Sequence, residues 1–199
     1  VCLILATAVL QYFSGAVQWY AWVILLAYLL LNIAYSMKLK NIPIVDIAIL
    51  VSGYVLRVLY GSALGGIEIS RWLYLTVISM SFYLGLGKRR NELIRQDDTV
   101  KRNVLQYYNQ SFLDKNMYMC LALTIAFYSL WAVDPITIAR ISTGSIVWTV
   151  PLVILICMSY SLHVERDSDG DPVEVLLGDK LLLSLVALLG LIWVAMIYL

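Results

Sequence analysis

Three short polar stretches carry the residues best suited to chemistry. The first is YSMKLKNIPIVD, Tyr35 to Asp46, set between two strongly apolar runs. Tyr35, Lys38 and Lys40 end one run, and Asp46 opens the next. Asn41 can cap a helix, and Pro43 fits a first turn, where a missing N–H costs nothing. Two readings of Asp46 stay open. It can complement the positive end of a helix dipole, or it can be a ligand for a metal or a substrate, the default for ionisable groups at membrane depth. The lysines either snorkel to the interface or contact anionic headgroups.

The second stretch is GLGKRRNELIRQDD, Gly85 to Asp98. Gly85 and Gly87 are expected to weaken or end the preceding helix, and Lys88, Arg89, Arg90 and Glu92 follow at once. Cations at a helix C-terminus are electrostatically comfortable and serve as a topology signal. Three adjacent cations equally suit a diphosphate. Residues 93–116 then read as an amphipathic loop or interfacial helix.

The third stretch is HVERDSDGDPVEVLLGDK, His163 to Lys180. Asp167, Asp169 and Asp171 suggest a calcium loop, but Pro172 replaces the required Gly and Gly178 the bidentate Glu. A polar loop, with Pro172 and Glu174 opening a short helix, fits better. His163 by itself supports no catalytic role. Cys2, Cys120 and Cys157 lie in apolar runs without CxxC spacing and read as small buried hydrophobes, so neither a disulfide framework nor a zinc site is expected.

The elements that position these residues are membrane helices. Of the 199 residues, 62% are hydrophobic and 14% charged, against roughly 45–50% and about 25% in soluble domains. Seven candidate spans follow, at about 1–14, 17–34, 43–62, 71–87, 117–133, 144–162 and 181–199, each near the length that crosses the hydrocarbon core. The Leu/Ile/Val runs lack barrel-like alternation, so an all-α polytopic bundle is expected over a single domain, 1–199. The chain opens inside a hydrophobic run, VCLILATAVL, which does not read as a signal peptide and is expected to be a cut through a longer membrane protein.

Charge placement orients the bundle. Lys38, Lys40, Lys88, Arg89, Arg90, Arg95, Lys101, Arg102, Lys115, Arg166 and Lys180 share one side, and only Arg71 and Arg140 occupy the other. The positive-inside rule makes the first side cytoplasmic. Most acids share that side, with Glu68 and Asp134 opposite. Arg57 lies inside a span, about 16 Å along the axis from Asp46. It is therefore expected to snorkel or to pair within the bundle rather than to share a small ligand with Asp46.

Four ordered blocks give the chain a family likeness. Tyr35, Ser36, Leu39, Lys40, Pro43 and Asp46 match YSxxLKxxPxxD. Gly53, Leu56 and Arg57 match GFxLR, with Tyr54 replacing Phe, and Gly87, Lys88, Arg89, Glu92 and Leu93 match GKRxxEL. Pro172, Glu174, Val175, Leu176, Leu177 and Asp179 match PxEVLLxD. From about residue 30 onward the chain resembles the UbiA-type membrane prenyltransferase superfamily, in its decaprenyl-phosphate phosphoribosyltransferase-like branch. The superfamily's NDxxDxxxD element has no match here, so the likeness is to the C-terminal part of a nine-helix fold without its first two helices.

This resemblance implies a Mg²⁺-dependent membrane transferase. A 5-phosphoribosyl group would pass from phosphoribosyl diphosphate to a polyprenyl phosphate, with diphosphate leaving. It implies catalytic roles for Asp46, Lys40 and Tyr35, phosphate contacts from Lys38, Lys88, Arg89, Arg90 and Glu92, and Mg²⁺ on Asp46. The expected partners are these two substrates and membrane lipids, without nucleic acid, and the expected place is the cell membrane with the active face cytoplasmic. Prenyl transfer to an aromatic or haem acceptor is the closest rival, but Leu50 stands where a DxxxD series would place its second Asp. A transporter or inactive scaffold is the rival of another class; the sequence shows no convincing repeat and keeps its charges at one interface.

Overall fold

The computed structural model describes residues 19–37, 39–95, 103–141, 144–165 and 172–198. Among these there are eight α-helices and no strand: α1 Trp19–Met37, α2 Val45–Gly65, α3 Arg71–Arg95, α4 Gln110–Ala132, α5 Pro135–Ile141, α6 Val150–Glu165, α7 Pro172–Gly178 and α8 Lys180–Tyr198. Tight 3-10 turns at Leu39–Asn41, Asn103–Tyr107 and Gly144–Thr149 join them. The protein is an all-α bundle and a multi-pass membrane protein.

A helix stands at each candidate span inside the described residues; the span at 1–14 lies outside them. By length and apolarity, Trp19–Met37, Val45–Gly65 and Ile146–Glu165 can each cross a membrane. A fourth span results when α4 and α5, bent by 61°, are taken as one. This is fewer than the seven expected. Helix α3 carries a polar end, GKRRNELIR, and the apolar part of α8, Lys180–Met196, is shorter.

Local chemistry explains the element ends. Gly66 takes the left-handed conformation at φ 62°, and its N–H and that of Ile67 both donate to Ser62 O, closing α2. The Asn109 side chain accepts the Phe112 N–H at 2.7 Å and starts α4. The bend after α4 has a similar cause: Pro135 has no N–H to extend the helix, and Asp134 Oδ2 accepts from Thr137 N and Oγ1 at 3.2 and 3.1 Å. Gly85 and Gly87 do not end α3, which continues to Arg95. Gly85 serves close packing instead, because a Cβ there would sit 3.3 Å from Ile47 Cγ2. The expected loop over 93–116 is also partly helical, with Gln110 onward belonging to α4.

Two apolar clusters hold the bundle. One joins Ile47, Val51 and Val55 of α2 to Tyr83 and Leu86 of α3, Leu113 and Met117 of α4, and Val164 of α6. The 47/51/55 spacing puts its α2 members on one helical stripe. The other, nearer the opposite end, contains Tyr128, Trp131, Val153 and Cys157, with Trp72 and Trp193 against it. Cys120 and Cys157 are buried free thiols, as the sequence suggested; Cys2 lies outside the described residues. Arg57 donates from Nη2 to Tyr28 Oη at 2.8 Å and lies over the Tyr28 and Tyr54 rings, so it pairs within the bundle.

Candidate functional site

The turn of Leu39–Asn41 delivers the chain into α2 through Ile44, whose φ of 68° is rare for a β-branched residue. Two residues later Asp46 is completely buried. Arg89, in the last third of α3, is also completely buried, and its Nε donates to Asp46 Oδ2 at 2.6 Å. The rest of the guanidinium is committed as well: Nη1 donates to Glu92 Oε2 at 2.6 Å, and Nη2 to Tyr35 Oη at 3.1 Å. Burial works against the charge on Arg89, but Glu92, Tyr35 and Asp46 outweigh it and hold the group cationic, above its ordinary value.

Tyr108 completes the cluster. Its hydroxyl donates to Asp46 Oδ1 at 2.7 Å and accepts the Ile44 N–H at 2.6 Å. Burial, with the hydrogen bond to Asp46, pushes this phenol up to about 12, so it is a firm neutral donor. One side chain thereby fixes both the carboxylate and the uncommon turn leading to it.

Arg90 is rotated about 100° from Arg89 around the helix. Its Nε donates to Asp114 Oδ1 at 2.5 Å, while its buried Nη1 has no hydrogen-bond partner. Lys40 is exposed and Lys88 half-buried. Lys38 lies outside the described residues. On the third stretch, α7 forms as expected; Asp179 Oδ1 accepts the Leu181 N–H at 2.8 Å, and Asp179 Oδ2 lies 3.1 Å from His163 Nδ1.

The fold thus gathers Tyr35, Asp46 and Glu92 around the guanidinium of Arg89. It does not present Arg89 to a phosphate, because all three of its nitrogens have partners inside the protein. Nor does it leave Asp46 arranged for a metal. Both carboxylate oxygens are engaged, the group is inaccessible, and a guanidinium lies 2.6 Å away. Among the described residues no three His, Cys, Asp or Glu side chains are grouped to hold an ion. The described donors, held this way, do not fit Mg²⁺, which requires several open oxygen ligands.

Sequence reasoning missed Tyr108 and Asp114. Tyr108 sits in VLQYYNQSFL beside an exposed twin, Tyr107, and spacing gives no reason to choose between them. For Asp114 the available signal was an acid near the start of a helix whose neighbour ends in cations.

No protein-family model matches the chain. Decaprenyl-phosphate phosphoribosyltransferase from Corynebacterium glutamicum is 32% identical over 173 residues, covering 84% of this chain and 50% of that protein. Its namesake from Mycolicibacterium smegmatis is 27% identical over 184 residues, 88% of this chain and 56% of that protein. That from Mycobacterium tuberculosis is 27% identical over 174 residues, 86% and 55%. The chain spans about half the length of the curated relatives it matches. Most of this chain is therefore homologous to part of the decaprenyl-phosphate phosphoribosyltransferases, the UbiA-type group that its motifs resemble.

Proposed function

We propose that the protein to which this chain belongs transfers a 5-phosphoribosyl group from phosphoribosyl diphosphate to a polyprenyl phosphate. The observation supporting it is the buried guanidinium of Arg89, on which Tyr35, Asp46 and Glu92 converge. These residues come from two of the blocks that carry the family likeness, and they form one rigid polar unit.

In this reading a lipid phosphate oxygen forms a bond to C1 of the ribose while the C1–O bond to diphosphate breaks. The leaving group departs with the electron pair. The nucleophile is already an anion, so no strong general base is required. What the site must supply is stabilisation of charge growing on the diphosphate, by preorganised donors. Arg89 is spent on its own protein, so it acts as a positioning residue. Arg90 keeps one buried nitrogen without a partner, and with Lys40 and Lys88 it is the donor set assigned here to phosphate. Mg²⁺ belongs to the proposal as an assay component whose ligands would include groups other than Asp46 as it is held here. The positive-inside pattern supports a cell-membrane location with this end cytoplasmic.

The test is transfer of labelled phosphoribosyl from phosphoribosyl diphosphate to decaprenyl phosphate in proteoliposomes with Mg²⁺, using the full reading frame that encodes this chain. A lipid-linked phosphoribose with equimolar diphosphate is the expected result. Labelled lipid from a prenyl diphosphate and an aromatic acceptor, with none from phosphoribosyl diphosphate, would overturn the reading. Asp46→Asn is expected to lower kcat at least tenfold without moving the Mg²⁺ concentration for half-activity. A large shift in that concentration would return Asp46 to the metal.

A further inference from the structure

At the end of the bundle opposite Asp46, four charged residues line one cavity of about 750 Å³: Glu68, Arg71, Asp134 and Arg140. They are also all the charged residues that the sequence assigns to that face. The cavity lies between the α2–α3 connection, the first turn of α3, the end of α4, and α5, with Trp72 and Trp131 in its wall. Helix α2, 21 residues and thus about 30 Å long, separates it from the Arg89 cluster.

Two acids could neutralise two arginines here, but among the described residues no ion pair joins them. One carboxylate oxygen of Asp134, Oδ2, is turned to the first turn of α5, accepting from Thr137 N and Oγ1. Glu68 meets Arg140 through its main-chain carbonyl, which accepts from Nη1 at 2.7 Å. The ion pairs among the described residues all lie elsewhere. Arg71 has no partner among the described residues, and it is the first residue of α3, where the helix dipole disfavours a cation. One guanidinium is therefore held by a single carbonyl and the other is uncommitted. They border a partly aromatic, largely apolar space in the size range of small-molecule sites.

We propose that this cavity binds a phosphate-bearing amphiphile. Arg71 and Arg140 hold the phosphate group through their planar donor forks. The first part of the hydrocarbon chain lies against Trp72, Trp131 and Ile136. An interfacial position suits such a ligand, because the headgroup meets the arginines while the tail stays in apolar surroundings. The site is independent of the transfer reaction proposed above.

The experiment uses the purified chain in detergent, followed by native mass spectrometry with dioleoyl phosphatidylglycerol and with dioleoylglycerol, which lacks phosphate. One retained phosphatidylglycerol per chain and no retained dioleoylglycerol is the expected result. The R71Q/R140Q double variant should weaken retention at least tenfold, and R57Q should leave it unchanged. Equal retention by wild type and the double variant overturns the site. Thermal protection by inorganic phosphate without lipid retention overturns the amphiphile, because a free anion then suffices. If the Gln pair does not fold, R71K/R140K decides: it keeps both charges but loses the forks, so weaker retention supports the site and unchanged retention overturns it.

Discussion

At the Asp46 end of the bundle, Arg89 and Asp46 are withdrawn completely from solvent, and every charged atom of the pair has a partner. At the opposite end, Arg71 and Arg140 are exposed, and among the described residues no carboxylate forms an ion pair with either. Aromatic residues follow the same division. Tyr35 and Tyr108 offer hydroxyls to the buried network, whereas Trp72, Trp131 and Trp193 pack against an apolar cluster. Enclosed charge has to be satisfied by the protein itself, so that end is rigid and intolerant of change. Exposed charge stays available to something from outside, so that end can lose a side chain and keep its fold.

The largest expected effect tests this contrast directly. Arg89→Met leaves Asp46 and Glu92 without their cation, and breaking one side of a buried pair costs about 3–5 kcal/mol. Arg71→Gln should cost less than about 0.5 kcal/mol, as for most surface changes. Reversible unfolding in detergent micelles compares them, and equal losses would erase the distinction between the two ends.

A middle-sized effect is expected for Tyr108→Phe, which removes the donor to Asp46 and the acceptor for the Ile44 N–H. The loss should be about 1–3 kcal/mol, since buried groups are left unmatched. The pH dependence sharpens it. The folded phenol is raised above its ordinary 10.0 to about 12, so its contribution is complete below pH 10 and is lost as pH rises through about 12. Stability measured as wild type minus Tyr108→Phe should therefore be flat to pH 10 and fall above it. A difference that grows with alkalinity would contradict the assignment.

The smallest effect concerns Ile44. A left-handed β-branched residue costs of order 1–3 kcal/mol, and its side chain is 61% exposed, so it contributes little packing. Ile44→Gly should leave stability unchanged or raise it by up to about 1 kcal/mol, after the added freedom of the unfolded chain is subtracted. A clear loss in the same unfolding assay would show that the turn is not strained.

Composition and charge placement made the helical, multi-pass character legible, because lipid leaves the backbone no other economical solution for such apolar runs. The blocks around Asp46 and Arg89 could be seen in the sequence, and so could the inability of Arg57 to reach Asp46. Their pairing could not. Asp46 looked like a metal ligand because an acid at a membrane boundary is expensive, and only the three-dimensional approach of α3 shows that a guanidinium offsets the cost. Tyr108 was hidden for a similar reason: its role depends on how a turn 62 residues downstream folds back. Gly85 illustrates the reverse error, since a residue that weakens isolated helices is used here to let two helices touch.

Biosynthesis meets this network in a fixed order. Asp46 is made 43 residues before Arg89 and 62 before Tyr108. While a ribosome is still adding those residues, the carboxylate has neither partner and has to remain hydrated at the mouth of α2. It can leave water only after Arg89 of α3 and Tyr108 have reached it. The Asp46–Arg89 contact therefore waits for α3, and a chain stalled before Arg89 would keep an ionised, water-facing acid where the finished protein has a sealed one.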